Sequence, residues 1–143
     1  MKIQSMKKKI EEISMSLSKL LENDQSLALL TTLADNSFDS VLITDTSKAG
    51  KIIYVNKAFQ TLTGFSSKEA VGKTPRILQG PATDKKVITR LANALQKGGK
   101  FEGKAINYKK DKTPFIMHWR VVPVKNKGKV VAWAAIQRAG TTL

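Results

Sequence analysis

Apolar residues recur near the start of the chain at Ile3, Met6, Ile10, Ile13, Leu17 and Leu20. Their spacing alternates between 3 and 4 residues, the a/d seam of a heptad pattern, and Lys7, Lys8, Lys9, Glu11, Glu12 and Ser16 fall on the outer faces. The pattern predicts an amphipathic helix. A helix of about twenty residues is marginal alone, so its apolar stripe needs a cover. A second copy of the helix in a dimer is the expected cover, and folding back onto the chain's own domain is the alternative. The seam falters at Asn23-Asp24, where Asp24 can cap a new helix. Leu27, Ala28, Leu29, Leu30 and Leu33 form a second amphipathic piece.

From residue 41 the period changes. Val41-Leu42-Ile43 and Ile52-Ile53-Tyr54-Val55 read as two strands joined through Lys48-Ala49-Gly50, a hairpin. Asn56 is placed to cap a helix over Lys57–Thr63, which Gly64 ends. Ser66-Ser67-Lys68-Glu69 starts one more helical turn in the manner of a capping box. Gly72–Pro81 reads as a loop, punctuated by Pro75, Gly80 and Pro81. Thr83 or Asp84 caps a longer helix over Lys85–Gln96 with Val87, Leu91, Ala94 and Leu95 on its apolar face, and Gly98-Gly99 stops it. Strands over Phe101–Tyr108, Pro114–Val124 and Val130–Gln137 follow, with turns at Lys109–Lys112 and Asn126-Lys127-Gly128. The order predicts an α+β domain: a five-stranded antiparallel sheet with its helices on one face, preceded by the N-terminal amphipathic helix.

Composition narrows the chemistry. The 143 residues include no cysteine and one histidine, His118. Disulfides, thiolate metal sites, cysteine nucleophiles and Ser-His-Asp triads are thereby excluded or disfavoured, and nothing in the chain points to an enzyme. No apolar run is long enough to span a membrane and the N-terminus does not resemble a secretory signal, so a cytoplasmic location is expected. The net charge is +14, unevenly spread. Residues 1–45 carry 5 lysines against 7 acids, and residues 46–143 carry 20 basic residues against 4 acids. A basic body suits an anionic partner such as nucleic acid or a membrane surface. However, lysine supplies 21 of the 25 basic residues and they are scattered, with no recognition helix or stacking platform. A solvated lysine-rich surface is the preferred reading.

A helix-covered sheet of this kind commonly encloses one cavity. Alternation puts Phe115, Met117, Trp119 and Val121 on one face of the fourth strand, opposite Ile116, His118 and Arg120. Trp133, Ala135 and Gln137 share a face on the last strand, and Phe101, Gly103, Ala105 and Asn107 on the third. Two apolar faces thus carry one amide each, Asn107 and Gln137. Converging amides suit a planar ligand with donor and acceptor edges. Bonding to backbone, or a place at the wet ends of the strands, is the equal alternative.

The stretch Ile43-Thr44-Asp45, Ile53-Tyr54-Val55-Asn56-Lys57-Ala58-Phe59, Thr63-Gly64-Phe65 and Gly72-Lys73 resembles the first half of a PAS domain. Arg76-Ile77-Leu78-Gln79-Gly80-Pro81-Ala82-Thr83-Asp84, with Asn107-Tyr108-Lys109-Lys110-Asp111 and Ile136-Gln137-Arg138, resembles the LOV branch of that family, the flavin-binding blue-light sensors. The resemblance covers about residues 38–139. It implies a PAS fold and a bound flavin, most naturally FMN. Arg76 matches the family's phosphate-binding arginine and Gln79 the glutamine after it. Asn107 matches the asparagine at the flavin's pyrimidine edge, and Gln137 the signalling glutamine near N5.

Other positions depart from the pattern. The family's Asn-Cys pair, whose thiol forms the photoadduct, is Thr74-Pro75 here, so adduct chemistry is impossible. The second ring-edge asparagine is Met117. The second phosphate arginine falls at Ala92, with Arg90 two residues away. Trp119 is bulky at a position near the ring. The candidate cofactor site is therefore Thr74, Arg76, Gln79, Asn107, Met117, Trp119 and Gln137. A haem on His118 is disfavoured because alternation points it away from the pocket face.

The expected organisation is a dimerisation helix and linker over 1–36, a PAS domain over 37–139 and a short tail over 140–143. With so few residues after Arg138, the expectation is a stand-alone module whose signal leaves through the N-terminal helix, a change of dimer or a downstream protein partner. Two functions follow. One is a cysteine-less flavin sensor of blue light or redox state. The other is a flavin-free PAS interaction and dimerisation module whose pocket is filled by Met117 and Trp119.

Overall fold

A computed structural model describes residues 2–20 and 25–143, with side chains over 2–12 and 25–143. The chain divides into two compact units, Met1–Asp35 and Asn36–Leu143. The first holds two helices, α1 (Lys2–Leu20) and α2 (Gln25–Asp35). Ile3, Met6 and Ile10, the described half of the predicted seam, are exposed on α1. The side chains of Ile13, Leu17 and Leu20, and the expected break at Asn23-Asp24, lie outside the described residues.

The second unit is the α+β body. Its five strands are β1 (Ser40–Thr44), β2 (Ile52–Val55), β3 (Phe101–Tyr108), β4 (Pro114–Asn126) and β5 (Lys129–Ala139). They form one antiparallel sheet in the order β2-β1-β5-β4-β3, so the last strand lies at its centre. Between β2 and β3 run α3 (Lys57–Thr63), α4 (Ser67–Ala70), a 3-10 turn (Pro75–Leu78) and α5 (Lys85–Gln96). The 3-10 turn corrects the reading of Gly72–Pro81 as loop throughout. Pro75 opens it with a fixed φ and no N–H to satisfy.

The local signals explain the helices. Asn56 is fully buried at the start of α3, where its Oδ1 accepts from the Phe59 N–H at 3.0 Å and from the Val41 N–H at 2.8 Å. Its Nδ2 donates to the Asp39 carbonyl at 3.0 Å, so one side chain caps a helix and fastens it to β1. Gly64 ends α3 at φ 79°, a left-handed conformation open to glycine. Ser66 and Glu69 complete a reciprocal capping box on α4. Asp84 caps α5 by accepting from the Lys86 N–H. The core lies between the helices and the inner face of the sheet, around Leu42, Ile52, Phe59, Leu78, Phe101, Ala105, Met117 and Trp119.

Candidate ligand site

The inner faces of β3, β4 and β5 bring together most of the residues singled out from the sequence. Pairing sets Asn107 opposite Phe115, Ala105 opposite Met117 and Gly103 opposite Trp119. Across the next ladder Trp119 stands opposite Gln137. Phe101 and Trp119 pack as tilted rings with centroids 5.2 Å apart. Gly103 makes room for this: a Cβ there would lie 2.5 Å from Phe101 Cζ. Arg90 also lies over the Phe101 ring, its guanidinium 4.8 Å from the ring centre, and its Nη1 donates to the Glu102 carbonyl at 3.0 Å. Arg90 is thus committed to β3 and does not stand in for an arginine at Ala92.

Both amides are engaged within the protein. The Ser40 hydroxyl donates to Gln137 Oε1 at 2.8 Å, in a pair where both residues are buried. Asn107 sits with its amide 3.3 Å from Met117 Sδ. Turned over, its NH2 donates to the carbonyls of Ile106 and Leu78 at 3.2 Å each, which is the chemically stronger arrangement.

A side chain lining a slot wide enough for a tricyclic ring leaves part of its surface open when the ring is absent. Met117 is 1% exposed, Gln137 4%, Asn107 5% and Trp119 5%. The chamber between β3, β4 and β5 is filled by the protein's own side chains, and it does not fit an isoalloxazine ring as it stands.

Arg76 and Gln79 are elsewhere. Both are exposed and line a cleft of about 580 Å³ between the β1–β2 turn, the 3-10 turn and α5. Its apolar wall is Ile88, Leu91, Ala92 and Leu95 of α5 with Trp133 of β5 and Pro75. Its polar rim includes Thr44, Asp45, Lys48 and Gln96. Thr74, half-buried, precedes the 3-10 turn without a side-chain cap bond. The structure therefore separates the candidate residues into two places, with Asn107, Met117, Trp119 and Gln137 in the packed chamber and Arg76 and Gln79 on the cleft.

Sequence reasoning missed Ser40, although alternation with Leu42 and Thr44 puts it on the inner face, and it missed Lys48 on the cleft rim. His118 stands on the outer face of the sheet, its Nε2 3.0 Å from Glu102 Oε2, while Arg120 Nε donates to Glu102 Oε1 at 2.8 Å. The bond to His118, then that to Arg120, holds the Glu102 carboxyl below its usual range. Among the described residues no cluster of His, Cys, Asp and Glu could hold a metal, and no helix is long and apolar enough to cross a membrane.

Residues 39–138 match the PAS domain family over most of the body. The LOV domain of the blue-light activated histidine kinase of Erythrobacter litoralis EL346 superposes with a TM-score of 0.68 at 32% identity, over 71% of this chain and 94% of that one. The chain is a LOV-branch PAS domain. Its curated relatives point the same way. Phototropin-2 of Oryza sativa subsp. japonica is 39% identical over 87 residues, 60% of this chain and 10% of the relative. The blue-light photoreceptor of Listeria monocytogenes is 32% identical over 103 residues, 71% of this chain and 41% of the relative. This PAS domain thus spans less than half the length of either relative.

Proposed function

We propose that this LOV-branch PAS domain is a sensory signalling module whose ring chamber is closed, so that it works through its cleft, its dimer and a protein partner and not through flavin photochemistry. The observation that carries this reading is the burial of Met117, where a ring-edge contact of the family belongs, and of Trp119, at a position near the ring. Driving two of these side chains out of the core to admit a ring would cost on the order of several kcal/mol. Pro75 removes the adduct route independently.

In this reading residues 1–36 are the dimerisation segment, 37–139 the sensory body and 140–143 a tail, acting in the cytoplasm with no catalytic role. Support for the dimer is the exposed row of Ile3, Met6 and Ile10 on α1. An Ile10→Asp variant is expected to be a monomer by light scattering, and a wild-type chain already monomeric refutes the seam.

A second reading, a cysteine-less FMN sensor of blue light or redox state, is favoured by Arg76 and Gln79 on one cleft. There Arg76 would hold the phosphate, Gln79 the polar chain, and Asn107 and Gln137 the ring edge, while FMN would supply light absorption and electron transfer. The absorption spectrum decides between the two. A colourless purified protein that leaves added FMN fully fluorescent is the expected result. The structured blue band of an oxidised flavin, or quenching of FMN on mixing, overturns the first reading in favour of the second.

A further inference from the structure

We infer that the end of the sheet carrying the β4–β5 hairpin is a docking surface for a lipid bilayer with anionic headgroups. The inference does not depend on whether the inner chamber holds a ligand.

The lysines that are scattered along the sequence are gathered by the strand register. Thr44 of β1 pairs with Ile52 of β2 and with Trp133 of β5, Trp133 pairs with Pro123 of β4, and Val121 of β4 pairs with Phe101 of β3. The β1–β2 turn, the link from α5 to β3 and the β4–β5 hairpin therefore leave the sheet at one end. Lys51 closes the first, Lys97 and Lys100 flank Gly98-Gly99 in the second, and Lys125, Lys127 and Lys129 stand on the third. All six are exposed, and among the described residues none makes a salt bridge. Strand spacing makes a five-stranded end about 20 Å wide. The nearby acids are already engaged. Asp45 Oδ1 accepts from the Ser47 hydroxyl at 2.5 Å and the Lys51 N–H at 3.0 Å, and Glu102 is held by His118 and Arg120. This end thus presents a positive field with little to cancel it.

The hairpin projects from it. Val124–Asn126 and Lys129–Ala132 pair only with each other, which lifts the tip roughly 10 Å past the neighbouring strands. Lys127 and Gly128 turn the chain at φ 52° and 78°, a two-residue turn with both residues left-handed. Asparagine is the ordinary choice at the first of these positions, and lysine there puts a charge at the apex. Just behind the apex Val124 and Val131 are 39% and 48% exposed. Lysines around a rigid, partly apolar tip suit a bilayer surface: the charges sit at the lipid phosphates and the valines reach the acyl boundary. Nucleic acid is the competing anion, since a two-stranded ribbon can enter a major groove. The ribbon, however, has no arginine to read a base and no aromatic to stack on one, and exposed valine gains nothing from a phosphate backbone.

The test is sedimentation of the full chain with phosphatidylcholine vesicles containing about one-fifth phosphatidylserine, beside pure phosphatidylcholine vesicles and a DNA duplex. Binding to the anionic vesicles and not to the neutral ones is expected. A lysine near such a surface changes the partition about fivefold, so Lys125→Gln, Lys127→Asn and Lys129→Gln together should weaken binding about a hundredfold. The control removes the same charge at the other end of β3, where Thr83 ahead of α5 bonds to the Ile106 carbonyl. There Lys85→Gln, Lys86→Gln and Lys112→Asn together should weaken binding by less than about tenfold. Val124→Thr with Val131→Thr should weaken it about fivefold. No binding to anionic vesicles, equal losses in the two triple variants, or a hairpin that holds the duplex and not the vesicles overturns the inference. The substituted lysines are exposed and asparagine takes the left-handed conformation readily, so the variants fold, and matched melting temperatures verify this.

Discussion

The packed chamber and the open cleft lie on the same inner side of one sheet, yet they answer to different physics. In the chamber, Phe101 and Trp119 pack on each other beside Gly103, Met117 is buried opposite Ala105, and the two amides bond to Ser40 and to backbone carbonyls. In the cleft, Ile88, Leu91, Leu95 and Trp133 are only half covered, and Arg76 and Lys48 make no ion pair among the described residues. A substitution in the first removes native packing. A substitution in the second touches side chains that are exposed or half-buried and leaves most of that packing in place. The contrast teaches that burial divides the candidate residues: Asn107, Met117, Trp119 and Gln137 belong to the core, while Arg76 and Gln79 are exposed.

The largest test of that contrast is truncation. Trp119→Ala should cost about 3–5 kcal/mol of unfolding free energy, the usual range for a buried large aromatic. Trp133→Ala, in the cleft wall, should cost clearly less. Equal losses in urea melts would break the distinction. Next is Gly103→Ala. The new Cβ would meet Phe101 Cζ at 2.5 Å and Arg90 Nη2 at 2.9 Å, and Phe101 is in contact with both Trp119 and Arg90. Overpacking of this kind should cost about 1–3 kcal/mol, read by the same melts.

A pH series gives a baseline outside both regions. Glu69 is held down from 4.5 to about 2, first by its bond from Lys110 and then by the Ser66 N–H and hydroxyl. A depressed carboxyl contributes stability that is full above its unfolded value and lost as pH falls through its folded value. The melting temperature should therefore fall between pH 4.5 and about 2, and Glu69→Gln should flatten that part of the curve. The smallest expected effect is that of Ala92→Arg. Ala92 is an exposed wall residue of the cleft, so stability should stay within about 0.5 kcal/mol in the same melts.

Much of the body is legible in the sequence because its signals are local. Asn56 and Gly64 bracket α3, Ser66 and Glu69 open α4, and Asp84 opens α5, each within reach of the backbone it caps. Pro75–Leu78 is not legible, since a four-residue turn has no apolar period to betray it. The faces of β3, β4 and β5 follow from alternation, which put Asn107, Met117, Trp119 and Gln137 inward. Whether the space between them is open does not follow. That depends on volumes summed over three strands, on Phe101 lying across Gly103 and on Asn107 reaching Leu78. Arg90 is the same lesson in reverse. Its position on α5 suggested a phosphate, and the aromatic ring beside it decided otherwise.

The central place of β5 has a kinetic consequence. Ser40 and Gln137 share a hydrogen bond although 97 residues separate them, and β1 has no neighbour on that side until β5 arrives. During synthesis the β1–β2 hairpin and α3 to α5 can form early, but the sheet closes only once the last strand has emerged. Loop closure over such a span is slow. Until then the nascent chain presents the unpaired edge of β1, so the interval before β5 docks is the one most open to wrong strand pairing.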